Sequence, residues 1–304
     1  NVTNWAIIAY LPNTSEILIY HPSRNYNAKN IDGNVDILQS KRQLGSTLKP
    51  FLYLQSLENN AEIDSLLLDV QSKYNVENTD KIYISENYSL KEYWLIRFKK
   101  ALWNSLNSAT VRLANHIWLE KVYDFYKKYG FKFDMDANHY WLGLVLWNPW
   151  IKLYDLVKSY SYLLPDYEIV DFNLVLDKNQ AKQRPKTTIS INKFLLYEIL
   201  KNPDNRDISF WVNSLLTTSV AQAVKTWTSQ DFRDNVIVSY SPDLILWIWI
   251  WNNDNSSMKQ VTWITWAWYI YNQLIKKIIW KNMLNSQEFL PPKELLKFNY
   301  CLDI

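Results

Sequence analysis

The chain has 304 residues, 48% of them hydrophobic and 21% charged, with a formal net charge of +3. That composition excludes disorder, collagen-like repeats and a coiled coil, and the length allows one large domain or two lobes. No apolar run reaches the roughly 18 residues of a membrane span. A single cysteine, Cys301, and three scattered histidines (His21, His116, His139) leave no disulfide, no CxxC site and no histidine-rich metal set. No dense Lys/Arg patch points to nucleic acid.

One count is abnormal: 16 Trp against 4 Gly. Together they come near the ~7% that glycine alone usually contributes.

In chain order, Trp5 to Tyr10 and Glu16 to Tyr20 are β-rich runs separated by the turn cluster Pro12-Asn13-Thr14-Ser15, which predicts a hairpin. The run Gln43 to Tyr53 predicts a helix, with Pro50 in its first turn, where proline is tolerated. From about Ala61 to Pro165 helical periodicity dominates. Strands return over Val220 to Thr228, Asn235 to Tyr240 and Leu244 to Trp251, and a helix closes the pattern over Ala267 to Ile279. The expectation is an antiparallel sheet with segregated helices (sheet from 1–20 and 219–252) and a helical lobe over roughly 61–165. The chain begins Asn1-Val2-Thr3 and reads as a piece of a longer protein.

Ser46-Thr47-Leu48-Lys49 places a hydroxyl and an amine three apart at a helix start. Residues at i and i+3 share a face, so the lysine amine can reach the serine oxygen. Unpaired N–H groups at the helix start suit an oxyanion. Alone, SxxK recurs by chance, and a surface serine and lysine is the competing reading. Ser105-Leu106-Asn107 downstream, between two helical runs, and Lys225-Thr226-Trp227-Thr228, closing a β-rich run, complete the ordered SxxK, SxN and KT-x-T set.

With those residues the chain resembles the transpeptidase domain of class A penicillin-binding proteins, with the 1C branch as the nearest match. The segment Arg42 to Pro50 is similar to the family's RQxGSTxKP, Ala101 to Ala109 to its AL-G-NSLN-x-A, and Trp249 to Asn255 to its W-x-G-N-x-D block. The resemblance implies an α/β (α+β), β-lactamase/transpeptidase-like fold: a five-stranded antiparallel sheet flanked by helices, plus a helical lobe. It also implies a peptidoglycan DD-transpeptidase that works through a serine acyl-enzyme. Ser46 would be the nucleophile and Lys49 its base. Ser105 would relay the proton, Lys225 would be a second cation, Asn107 would hold the substrate amide, and Thr226 and Thr228 would meet the terminal carboxylate. The backbone N–H groups of Ser46 and Thr228 would form the oxyanion hole.

The implied partners are D-Ala-D-Ala stem peptides as donors, an amine acceptor, and β-lactams as inhibitors, with no cofactor, no metal and no nucleic acid. Localisation would be extracytoplasmic, with a membrane helix and a glycosyltransferase domain carried by the longer protein and not by this chain. A DD-carboxypeptidase or β-lactamase on the same scaffold is the alternative, although no Glu-x-x-x-Asn deacylation segment follows Ser105 in the helical lobe. A degenerate binding module is a third reading, tied to Trp227.

The family carries glycine where this chain has Trp103, Trp227 and Trp251, and favours it at positions like Trp141, Trp147, Trp263 and Trp266, whereas Trp249 matches a family tryptophan. Abundant Asn, Lys, Ile and Tyr fit an A/T-rich gene. The expectation is that many of these tryptophans are UGA codons that the native organism reads as glycine.

Overall fold

A computed structural model describes residues 2–43, 45–75, 82–146, 149–166, 187–206, 208, 220–229, 232–258, 266–280 and 288–295. Trp147, Trp263 and Cys301 lie outside these residues. The chain opens with strands β1 (Asn4–Leu11) and β2 (Glu16–His21), the expected hairpin, followed by short β3 (Lys41–Gln43). A 3-10 turn over Gly45–Leu48 runs into helix α1 (Lys49–Glu58), with Pro50 inside its first turn.

Four short strands follow: β4 (Leu66–Asp69), β5 (Ser72–Asn75), β6 (Ile82–Ser85) and β7 (Trp94–Arg97). They form two small antiparallel pairs, β4 with β7 and β5 with β6. Helical periodicity does not anticipate them. Runs of four residues are too short to show a period of their own, and Trp94, Leu95 and Leu66 are exposed rather than alternating in and out. Beyond them lie α2 (Phe98–Trp103), α3 (Asn107–Ile117), α4 (Leu119–Lys128), α5 (Ala137–Tyr140), β8 (Trp150–Lys152) and α6 (Leu153–Ser161). The rest comprises α7 (Ile191–Lys201), β9 (Ala223–Thr228), β10 (Asp234–Tyr240), β11 (Ile245–Trp251) and α8 (Trp266–Trp280).

The main sheet has the order β2-β1-β11-β10-β9, and every neighbouring pair is antiparallel. All seven residues of β11 are buried, because β1 and β10 flank it and α6 and α8 pack on it. Its Ile/Leu/Trp run therefore reads as a central strand buried on both faces rather than an alternating one. Trp247 is completely buried there, a side chain whose removal from water contributes on the order of 2–3 kcal/mol.

Strand β9 closes one edge of the sheet and lies against the 3-10 turn at Gly45–Leu48. Helix α1, buried along all but its last residue, anchors that turn. Its Phe51 ring is met edge-on by Tyr126, Tyr129, Phe131 and Tyr160, at centroid distances of 4.8 to 6.4 Å. Two of those tyrosines also fasten the turn itself. The Tyr160 hydroxyl donates to the Thr47 carbonyl at 2.7 Å and that of Tyr126 to the Leu48 carbonyl at 3.3 Å.

Candidate active site

Between the free edge of β9, the turn before α1 and the turn between α2 and α3 runs an open cleft of about 1660 Å³. Ser46, Ser105, Asn107, Thr226, Trp227 and Thr228 line it. The two lysines stand behind that surface, Lys49 fully buried and Lys225 2% exposed.

The SxN turn is the meeting point. Ser105 sits between α2 and α3 with φ +59°, a left-handed backbone that a serine adopts only where its surroundings impose it. Lys225 Nζ donates to Ser105 Oγ at 2.8 Å and to the Thr226 carbonyl at 2.9 Å. Lys49 Nζ donates to the Ser105 carbonyl (2.6 Å), to Asn107 Oδ1 (2.7 Å), to the Leu106 carbonyl (3.3 Å) and to Ser105 Oγ (3.4 Å). Both amines therefore face one hydroxyl.

The spacing of Ser46 and Lys49 allows the amine to reach the serine oxygen. Among the described residues no hydrogen bond joins the two. Four acceptors at the SxN turn draw the amine there instead, while Ser46 stays half-buried on the cleft wall. Asn107 is oriented from both ends, because its Nδ2 donates to the Glu86 carbonyl at 3.0 Å while Oδ1 receives Lys49.

Burial drives the electrostatics. Desolvation, and secondarily the charge of Lys225, holds the Lys49 amine well below the usual lysine range. Desolvation alone pushes Lys225 down to about 7. An amine so placed is neutral part of the time near neutral pH and can accept a proton.

Two contributors escape a motif reading. Asp69, fully buried, accepts from Asn87 Nδ2 (2.7 Å) and from the backbone N–H groups of Tyr93 (3.2 Å) and Ala109 (3.1 Å). Asn87 Oδ1 in turn accepts the backbone N–H groups of Asn107 (2.7 Å) and Ser108 (3.2 Å). These two side chains satisfy the exposed donors at the start of α3, whose own N-cap residue, Leu106, offers no side-chain acceptor. Burial raises the affinity of Asp69 for a proton, and its charge works against the depression at Lys49. Only the fold reveals the pair, since it joins residues 69, 87 and 107 across three elements.

On β9, Thr228 Oγ1 accepts from Asn235 Nδ2 at 3.0 Å. The Ser229 N–H turns inward to the Asp234 carbonyl at 3.0 Å. Successive strand N–H groups alternate sides, so that of Thr228 points to the free edge and the cleft. Trp227, on the same side as Lys225, lays its indole over Gly45, so closely that a Cβ built on Gly45 would overlap the ring. The Trp227 indole thus lines the cleft next to the residue that precedes Ser46.

A sheet of this order, with a helical layer and two amines converging beside its edge strand on a serine between α2 and α3, is the arrangement of the β-lactamase/transpeptidase-like fold. A solved structure of penicillin-binding protein 1A from Haemophilus influenzae superposes with a TM-score of 0.76 at 14% identity, covering 95% of this chain and 49% of that one. That of PonA1 from Mycobacterium tuberculosis in complex with penicillin V gives 0.71 at 16% identity, covering 96% and 81%. Residues 5–139 match the family described as penicillin binding protein transpeptidase domain. Penicillin-binding protein 1A of Aquifex aeolicus is 26% identical over 306 residues, 93% of this chain and 39% of that protein. The chain is thus similar in fold to solved penicillin-binding proteins, and its first part matches their transpeptidase-domain family. It spans about two fifths of the length of that relative. The relatives matched in this way include 1A proteins, whereas the sequence reading takes the 1C branch as nearest.

Proposed function

We propose that this chain is a serine-type D-Ala-D-Ala transpeptidase domain that cross-links peptidoglycan stem peptides and is acylated by β-lactams. The observation that carries the reading is the convergence of Lys49 and Lys225 on Ser105 Oγ, at the cleft that Ser46 lines.

In this mechanism the neutral Lys49 amine takes the Ser46 proton as Oγ attacks the carbonyl of the penultimate D-Ala. The N–H groups of Ser46 and Thr228 hold the oxyanion, a contribution of roughly 3–4 kcal/mol per donor. The outward direction of the Thr228 N–H supports that role. The C–N bond breaks, and the proton reaches the departing D-Ala amine through Ser105. An acceptor amine then attacks the ester, gives its proton to the site, and Ser46 leaves with a proton restored. Asn107 holds the substrate amide, and Lys225 with Thr226 and Thr228 holds the terminal carboxylate. Placement on the outer side of the cell membrane, through an anchor in the longer protein, belongs to the same proposal. Among the described residues no helix is long and apolar enough to cross a membrane.

A second reading, a scaffold that binds without reacting, is favoured by one observation: the Trp227 indole against Gly45. Labelled penicillin separates the readings. A long-lived adduct, with D-Ala release and amide formation when donor and acceptor peptides are supplied, is the expected result. A short-lived adduct indicates a hydrolase, and no adduct with either tryptophan or glycine at 227 overturns the proposal.

A further inference from the structure

Ten described residues other than glycine adopt positive φ, and three of them are tryptophans: Trp94 (56°), Trp118 (79°) and Trp141 (47°). Polar residues such as Asn60, Asn255 and Asp32 tolerate that region through local hydrogen bonding; for bulky side chains, Leu90 and Phe232 included, it carries strain. Two of the three go further. Trp118 lies at φ 79°, ψ 129° and Trp141 at φ 47°, ψ −147°. Both miss the left-handed helical well, and Trp141 in particular approaches a region populated essentially by glycine alone.

Their places in the fold ask for glycine as well. Trp118 is the lone link between α3 and α4, and Trp141 follows directly on α5. Glycine is the residue that ends helices through a positive-φ position. The side chains offer little in return: Trp94 and Trp118 are 67% and 69% exposed. Trp227 adds an independent observation of a different kind. Its backbone is ordinary strand, yet its indole occupies the space over Gly45, the residue before Ser46.

The other tryptophans behave differently. Trp249 is 2% exposed, donates its ring N–H to Asp234 Oδ1 at 3.1 Å and stacks on Trp251 at 3.9 Å. Trp103 is buried with its ring N–H on the Leu200 carbonyl at 3.0 Å, so no backbone or hydrogen-bond demand singles it out. The need for glycine is thus a property of particular positions and not of tryptophan in general.

We infer that the working protein carries glycine at positions 94, 118, 141 and 227, and that residue 227 sets access to the carboxylate end of the cleft. The gene specifies these positions with UGA, which the native ribosome reads as glycine and the standard code does not. UGA differs from the glycine codon GGA by a single base. With these four read as glycine, the counts of 16 Trp and 4 Gly become 12 and 8. Access at 227 rests on the proposed function, whereas the backbone argument at 94, 118 and 141 does not.

Two measurements test this. First, the protein is purified from its own cells, and the tryptic peptide Thr226 to Arg233 is weighed with those covering 94, 118 and 141. Glycine masses at all four, with tryptophan retained at 249, are expected. Tryptophan at 94, 118 or 141 overturns the inference whatever the enzyme does. Second, the chain is produced as written and with Trp94, Trp118 and Trp141→Gly, singly and together, beside a Trp249→Gly control. At an ordinary position tryptophan to glycine destabilises. At these three positions Tm should rise by about 2 °C or more each, since a positive φ no longer strains a side chain. A fall in Tm at these positions comparable to that of the control contradicts it. In the stabilised background Trp227→Gly should raise the penicillin acylation rate at least tenfold. An unchanged rate, with Tm gains intact, removes the access role and leaves the recoding standing.

Discussion

Ser105 Oγ accepts a hydrogen bond from Lys225 Nζ at 2.8 Å, across 120 residues of chain. The contact exists because β9 is an edge strand, free to present a side chain to the turn between α2 and α3. With Lys49 Nζ 3.4 Å from the same oxygen, the hydroxyl bridges two amines that burial makes poor holders of a proton.

Lys225 is expected to act as the cation for the terminal carboxylate. Lys225→Ala should then slow substrates with a free terminal carboxylate far more than the same peptides amidated there. Equal losses on the two substrates contradict the assignment. With its affinity for a proton down to about 7, Lys225 loses charge above that pH, so the advantage of the free-acid substrate should shrink as pH rises from 7 to 9. Competition assays at three pH values read this directly.

Lys49→Ala should lower the acylation rate by roughly 10²–10⁴, the span of a general base. Lys49→Arg should not restore it, because a guanidinium keeps its proton at any working pH. Stopped-flow acylation with a chromogenic β-lactam measures both. A fully active Lys49→Arg protein would remove Lys49 from the proton path.

The same depression makes stability depend on pH with a definite sign. Buried amines bind protons less well folded than unfolded, so the unfolded chain holds more protons between the depressed values and the ordinary lysine value of 10.5. Unfolding free energy should therefore rise with pH from about 7 toward 10.5, and Lys225→Met should flatten that slope. Urea titrations across this window test it, and a slope that Lys225→Met leaves unchanged contradicts it.

Much of this site is legible in the sequence because it is built from short motifs. Ser46 with Lys49, Ser105 with Asn107, and Lys225 through Thr228 each announce themselves by spacing, and the buried run of β11 announces a central strand. The Asp69–Asn87–Asn107 chain of hydrogen bonds does not, since its members belong to β4, the loop after β6 and α3. The pairing of β4 with β7 is hidden for a similar reason: four-residue strands carry no period. Spacing shows that Lys49 and Ser46 can meet, but not which acceptors hold the amine in this structure. Tryptophan counts alone point to a substitution of glycine, but only backbone angles say at which positions it matters.

Asp69 offers a test of positioning. Asp69→Ala strips acceptors from one Asn87 amide N–H and from the Ala109 N–H, while the Tyr93 N–H keeps the carbonyl of residue 69, a loss of about 1–3 kcal/mol for each buried group left unpaired. Asp69→Asn at the same site removes the charge while keeping one acceptor. Because the carboxylate raises the proton affinity of Lys49, the acid limb of the acylation pH profile should move to lower pH in Asp69→Asn. Asn87→Ala, which loosens the α3 start without changing charge, should cut the rate and leave that limb in place. Identical profiles for the two variants would reduce Asp69 to a structural role.

Everything proposed for the cleft depends on Ser46 carrying the acyl group, which peptide mapping reads without intermediaries. The glycine-227 protein is incubated with fluorescent penicillin, digested, and the labelled peptide sequenced by mass spectrometry, with Ser46→Ala in parallel. A single adduct on Ser46 and no label in the alanine variant are expected. Label on another serine, or undiminished label in Ser46→Ala, removes Ser46 as the nucleophile.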